Sequence, residues 1–157
     1  MDEAANYPLP SLPALMSEGG GSGITTVAVL QSLAQARDRW GREAAGAIWD
    51  SAIVKVVLGG SANADDLADV SRLAGDVEVP ERSSTRSGGT AGTSTTTTLR
   101  SRPVLEPSGL RRLRFGTALV LLRSAAPVLA DLRPWTARAD AASLAEQRRQ
   151  FEEQPGA

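Results

Sequence analysis

Two apolar runs, Ile24-Thr25-Thr26-Val27-Ala28-Val29-Leu30 and Ile53-Val54-Lys55-Val56-Val57-Leu58, constrain most tightly what this chain of 157 residues can fold into. Each is rich in β-branched residues and nearly unbroken, so neither offers water a strongly polar face. A strand of that kind is covered on both sides, which predicts central positions in a mainly parallel sheet with flanking helices. The segments around the runs supply the helices. Ser11 is placed to cap a short helix over 11–18, which the run Gly19-Gly20-Gly21-Ser22-Gly23 ends. Residues 33–51 carry a helical pattern with a break at Trp40-Gly41. Asn63 can cap a helix over 64–74, with Asp65 and Asp66 in the first turn, where the helix dipole favours acids, and Gly75 behind its end. Helix, strand, helix, strand, helix is α/β logic.

After residue 81 the texture changes. The stretch 83–98 is rich in Ser, Thr and Gly and predicts a flexible hairpin at about 82–102, with weak β propensity at 95–99. A short amphipathic helix over 106–114 carries Arg111, Arg112 and Arg114, and 117–123 and 127–132 are further strand candidates. Residues 1–138 thus form one unit, and 139–157 a polar tail, helical and then disordered. Two strands of central character without evident flanking strands leave unpaired backbone at an edge, so the chain has the character of part of a sheet.

Composition removes several chemistries. The chain has no cysteine, hence no disulfide or thiolate, and no histidine, hence neither the commonest general base nor the commonest zinc ligand. Hydrolysis, if any, rests on carboxylates, amides, hydroxyls and arginine. No stretch approaches 18 uninterrupted apolar residues, and the first ten residues hold two acids and no base, so the expected location is cytoplasmic. Trp40, Trp49 and Trp135 are most simply core or subunit-contact residues. The net charge of −1 hides an asymmetry: residues 1–81 carry 12 acids against 5 bases, and 82–138 carry 10 arginines against 2 acids. The basic part either contacts phosphates, neutralises the acidic part within one fold, or faces an acidic partner subunit.

The chain opens Met1-Asp2-Glu3-Ala4-Ala5-Asn6. An Asp-Glu pair at the end of an apolar strand is the second nucleotide motif of P-loop ATPases: the first acid orders Mg²⁺ through its water shell and the second polarises the attacking water. Alone the dipeptide means little, and here no apolar strand precedes it. Its context is more specific. Asp-Glu-Ala-Ala-Asn is followed by Leu9-Pro10-Ser11-Leu12-Pro13-Ala14-Leu15, a glycine-rich turn, an apolar strand and Leu30-Gln31-Ser32-Leu33-Ala34-Gln35. Then come Val70-Ser71-Arg72-Leu73-Ala74-Gly75-Asp76, a Ser/Thr-rich hairpin, Arg102-Pro103-Val104-Leu105, Leu113-Arg114-Phe115-Gly116-Thr117-Ala118-Leu119 and Leu132-Arg133-Pro134-Trp135. In order and spacing, residues 1–136 resemble the TraG/TraD coupling proteins, the ring ATPases of conjugation and type IV secretion, in the part described as the TraM-recognition region.

The resemblance implies an incomplete RecA-like P-loop core, its C-terminal half, plus a Ser/Thr-rich β-hairpin. It implies Asp2 as the Mg²⁺-organising metal site, Glu3 as the catalytic acid and Gln31 as a sensor glutamine able to touch a γ-phosphate or the attacking water. The alternative for Gln31 is a helix-start residue bonded to backbone. ATP and Mg²⁺ are the cofactors of the intact family. Two departures matter. No Gly-x-x-x-x-Gly-Lys-[Ser/Thr] occurs, and the sole lysine, Lys55, lies inside a strand, so the chain is expected to bind no nucleotide and to be inactive alone. Many relatives also place an arginine finger, worth about 10³–10⁵ in rate, in the turn that here reads Gly19-Gly20-Gly21, leaving Arg37 or Arg39 as substitutes. The glycine run precedes a strand and not a helix, so it is a connecting turn and no phosphate cradle.

Hairpin residues Arg82, Arg86, Arg100 and Arg102 are candidates for contact with a DNA backbone, although Phe115 is the only aromatic nearby. The alternative is a solvated hairpin with scattered arginines. Three readings follow. The chain is a motor fragment completed by an N-terminal P-loop half, from a split gene or an upstream start, or by full-length coupling subunits. Alternatively it is a non-enzymatic module for relaxosome or secretion proteins, or a decaying gene remnant. A P-loop motif encoded upstream discriminates among them.

Overall fold

The computed structural model describes residues 3–86 and 93–153. In chain order the elements are α1 (Leu12–Glu18), a 3-10 turn (Gly19–Ser22), α2 (Leu33–Trp40), α3 (Arg42–Ser51) and β1 (Val54–Leu58). There follow α4 (Ala64–Ala74), β2 (Asp76–Arg86), β3 (Thr93–Pro103), α5 (Pro107–Arg111), β4 (Thr117–Leu122), β5 (Val128–Asp131), a second 3-10 turn (Trp135–Ala137) and α6 (Ala141–Glu152). Local chemistry sets the boundaries. Ser32 caps α2 by accepting from the Gln35 N–H at 3.1 Å. Asn63 caps α4 by accepting from the N–H groups of Asp65 and Asp66 at 3.0 and 3.1 Å. Gly41, at φ 82°, breaks the helical run between α2 and α3, a backbone region that disfavours side chains with a Cβ.

The expected parallel sheet is not what forms. Among the described residues, β1, β4 and β5 make one sheet in the order β1-β4-β5, and β2 and β3 make a separate ribbon, with every pairing antiparallel. For β4 and β5 the reason is connection length. Residues 123–127 join β4 to β5, whereas a parallel pair needs a crossover of roughly a dozen residues or more. The run 24–30 also departs from expectation: it is extended but belongs to neither sheet. One side, Ala28 and Leu30, packs inward, while Ile24, Val27 and Val29 face outward. Among the described residues, the run's packing onto the core comes from Ala28 and Leu30. The ribbon is also longer than the predicted hairpin at 82–102, running from Asp76 to Pro103 with residues 87–92 outside the described part. The tail helix forms as α6 with no buried residue, and the end of the tail, 154–157, lies outside the described residues. No described helix is long and apolar enough to cross a membrane.

Two apolar clusters hold these elements. In the first, Leu67, Val70 and Ala74 of α4 meet Leu110 of α5 and Leu119 of β4, with Trp49, Val57, Leu105, Leu113 and Leu121 around them. In the second, Ala4, Leu12 and Ile48 are surrounded by Met16, Ala28, Leu30 and Trp40. Each fully buried Leu or Ile contributes roughly 1.5–3 kcal/mol relative to exposure. The turn after α5 lies hard against the end of β1. A Cβ at Gly59 would collide with the Leu113 carbonyl oxygen, and the Gly60 N–H donates to the Arg111 carbonyl at 3.1 Å. The sheet's other face is only partly covered: Ala118, on it by register, is buried, but a row of apolar residues around it is exposed. Val54, Val56 and Leu58 share this face by register with Leu122 and Val128, and all five are 41–55% exposed.

Candidate active site

Asp2 lies outside the described residues, so the motif is described from Glu3 onward. Glu3 has φ 46° and is the one non-glycine residue with positive φ among the described residues. That left-handed conformation costs roughly 1–2 kcal/mol and persists where the surroundings impose it. The surroundings are specific. Ala4 and Ala5 are each 1% exposed. The Ala4 N–H donates to the Val29 carbonyl at 2.9 Å, pinning the turn beside the end of the extended run, two residues before Gln31. Asn6 closes the turn twice, its backbone N–H donating to the Glu3 carbonyl at 2.8 Å and its side-chain Nδ2 to Glu3 Oε2 at 2.6 Å. The Glu3 side chain itself is exposed.

Gln31 sits in a bend directly before α2, exposed, with its side chain making no hydrogen bond among the described residues. The glutamine that does reach the motif is Gln35, one turn further on, whose Nε2 donates to Asn6 Oδ1 at 3.3 Å. Beneath it α2 is anchored by Asp66, which is only 6% exposed. Asp66 Oδ2 accepts the Leu33 N–H at 2.9 Å and Oδ1 accepts from Arg37 at 3.3 Å. The N-terminus of α2 is therefore filled by the chain's own carboxylate and is not presented to an outside anion. Arg37 also faces Asp69 at 3.9 Å, and Asp69 pairs in turn with Arg72. Of the two proposed finger substitutes, Arg37 is thus tied to α4, while Arg39 is exposed and makes no ion pair among the described residues.

Lys55 is engaged locally. Its Nζ donates to the Ala52 carbonyl at 2.7 Å and lies 5.3 Å from the centre of the Trp49 ring. Burial holds its pKa below the ordinary lysine value, against the opposing pull of Asp50. Among the described residues no three acidic side chains come together as a metal cluster. A Mg²⁺ ion held mostly by water and phosphate needs only one or two carboxylates, and of the Asp-Glu pair only Glu3 lies among the described residues.

The candidate arginines of the ribbon do not converge. Register places Arg100 and Arg102 on one face with Val77, Val79 and Glu81, and Arg82 on the other with Pro80 and Leu99. Glu81 pairs with Arg100 at 3.2 Å and with Arg102 at 3.7 Å. Arg86 lies at the far end, opposite Thr93. Sequence reasoning did not single out Asn6, Gln35 or Asp66. Asn6 was visible as the last residue of the motif and Gln35 as the residue one turn after Gln31. Asp66 carried only the signal of an acid in a first turn.

The comparisons with known proteins accord with this arrangement. The sequence profile described as the TraM recognition site of TraD and TraG matches residues 1–115. No curated protein sequence matches the chain. Among solved structures, the unbound bacterial conjugative coupling protein TrwB lacking its N-terminal segment superposes with a TM-score of 0.66 at 27% identity, over 85% of this chain and 30% of that one. TrwB in complex with the ATP analogue ADPNP gives 0.67 at 26% identity, and TrwB with ADP and Mg²⁺ gives 0.65 at 27%, with the same 85% of this chain covered. The chain spans about 30% of the length of these coupling proteins. With the Glu3 turn, the Gln31 segment and the Ser/Thr ribbon falling inside the matched region, this chain belongs to the TraG/TraD family of conjugative coupling proteins, in its TraM-recognition part.

Proposed function

We propose that the chain supplies the catalytic acid and sensor to a conjugative DNA-transfer ATPase with a RecA-like core. The observation that carries this is the Glu3 turn: an exposed acid held in a left-handed conformation by buried neighbours, beside the run that leads to Gln31. Strained backbone around an exposed carboxylate is a feature of sites under functional constraint. In this reading Asp2 holds Mg²⁺ through its waters, Glu3 orients and polarises the attacking water, and Gln31 contacts the γ-phosphate or that water. Bound Mg²⁺ would neutralise charge developing on the phosphates. TrwB, the similar solved protein, has been crystallised with nucleotide analogues and with ADP and Mg²⁺.

The phosphates themselves need a P-loop, and none lies in these 157 residues. The complement is an N-terminal P-loop half or the subunits of a full-length coupling protein. The exposed row of Val54, Val56, Leu58, Leu122 and Val128 is an apolar surface of the kind such a partner covers. The site works in the cytoplasm. Relaxosome proteins, TraM among them, are the expected partners of the same region, and Arg82, Arg86, Arg100 and Arg102 give the ribbon a weak, sequence-independent hold on DNA backbone. A second reading, a partner-binding module without catalysis, is favoured by the family's description as a recognition site and by a ribbon that carries its length outside the core.

One experiment separates the two. A fluorescent ATP analogue with Mg²⁺ is titrated into the chain, with and without a polypeptide bearing the family's P-loop. Binding and turnover only with the partner, lost in Glu3→Gln, is the expected result. No binding under either condition overturns the catalytic reading and leaves the recognition module.

A further inference from the structure

We infer that Asn6 and Gln35 are positioning residues for Glu3, forming a side-chain relay from the start of α2 to the catalytic carboxylate; this rests on the reading of Glu3 as the acid that orients water. A primary amide has one acceptor oxygen and one donor nitrogen, so fixing one end fixes the other. Gln35 Nε2 donates to Asn6 Oδ1 at 3.3 Å, which leaves Asn6 Nδ2 facing Glu3 Oε2 at 2.6 Å. Gln35 therefore sets the direction of the Asn6 amide, and Asn6 sets the position of the carboxylate.

Each link starts from something fixed. Gln35 belongs to a helix whose first turn is held by the Ser32 hydroxyl and by the buried Asp66 carboxylate. Asn6 holds the backbone of Glu3 as well as its side chain. The positive φ of Glu3 is unfavourable by itself, so the turn relaxes unless such contacts impose it. Misplacing a reacting group by about 1 Å costs on the order of 10² in rate.

Two experiments test the relay in the full chain. In the first, side-chain amide resonances are followed by NMR. Glu3→Gln is expected to shift the Asn6 Nδ2 protons, and Gln35→Glu to shift them again while the backbone spectrum is retained. Unmoved Asn6 resonances in both variants overturn the relay, whatever the chain's function. In the second, turnover is measured with the P-loop polypeptide. Asn6→Ala is expected to lower kcat by about 10- to 100-fold with KM within about twofold. Gln35→Glu, the same shape, is expected to be worse than Gln35→Ala, because a carboxylate at 35 demands a donor from Asn6 and swings its oxygen toward Glu3. That ordering is expected to vanish in the Asn6→Ala background. Equal effects of the two substitutions at 35, or native turnover in Asn6→Ala, overturn the inference and leave the proposed function standing. No turnover by the native pair removes both.

Discussion

The three-stranded sheet and the ribbon are both antiparallel, and they stand at opposite ends of the energetic scale. The sheet has a face filled by α4 and α5, with Leu119 and Leu110 essentially sealed from solvent. The ribbon has longer strands yet no buried residue among those whose side chains are described, with Val77, Val79 and Leu99 all exposed. Strand length and hydrogen-bond register therefore say little about where stability resides. Removal of apolar surface from water decides it, and the ribbon removes almost none.

The largest expected effect lies in the core packed on the sheet, where Leu110 of α5 meets Leu119 of β4. Leu110→Ala should cost about 2–5 kcal/mol, whereas Leu99→Ala on the ribbon should stay within about 0.5 kcal/mol. Urea unfolding of the two variants would break the comparison if their costs were equal. Asp66→Ala should come next, at about 1–3 kcal/mol, since it strips the Leu33 N–H and Arg37 of their acceptor. Faster amide exchange in the first turn of α2 than in the ribbon would confirm where the loss falls. Glu81→Gln should change stability by less than about 0.5 kcal/mol, because its arginine pairs are solvent-exposed. It should nevertheless tighten salt-sensitive binding to DNA by freeing Arg100 and Arg102, as read by fluorescence anisotropy at several salt concentrations; unchanged affinity would strip those arginines of that role.

The smallest effect concerns Lys55. Its folded pKa lies below its unfolded one, so the unfolded chain holds that proton more tightly. Its contribution to stability therefore rises as pH climbs toward the ordinary lysine value of 10.5. Lys55→Met should flatten that slope in melting temperatures measured across alkaline pH.

The sequence was most legible where one residue settles a local question. Asn63, Gly41 and Gly75 mark helix boundaries by a cap and positive φ, and the break between α2 and α3 and both ends of α4 fall where those residues put them. Strand direction was illegible for a physical reason. Apolar runs report burial, whereas direction depends on connection length and on which strands meet, and 24–30 carries the composition of a central strand while lying outside both sheets. The site was half legible. Glu3 and Gln31 stand out by resemblance, but the bonds that tie the Glu3 turn to α2, and α2 to α4, join Gln35 to Asn6 and Asp66 to Leu33, 29 and 33 residues apart in sequence. Spacing rules reach one or two helical turns and cannot find such pairs.

Helix α4 has a mechanical consequence. Its first turn is clamped to α2 through Asp66. Its last turn is clamped to the root of the ribbon, where Ser71 Oγ donates to the Leu105 carbonyl at 2.7 Å and the Val104 N–H donates to Gly75 at 2.9 Å. Eleven helical residues make a stiff rod about 16 Å long, gripped at both ends. The root of the ribbon and the foot of the segment that carries Gln31 and Gln35 are therefore the two ends of one rod.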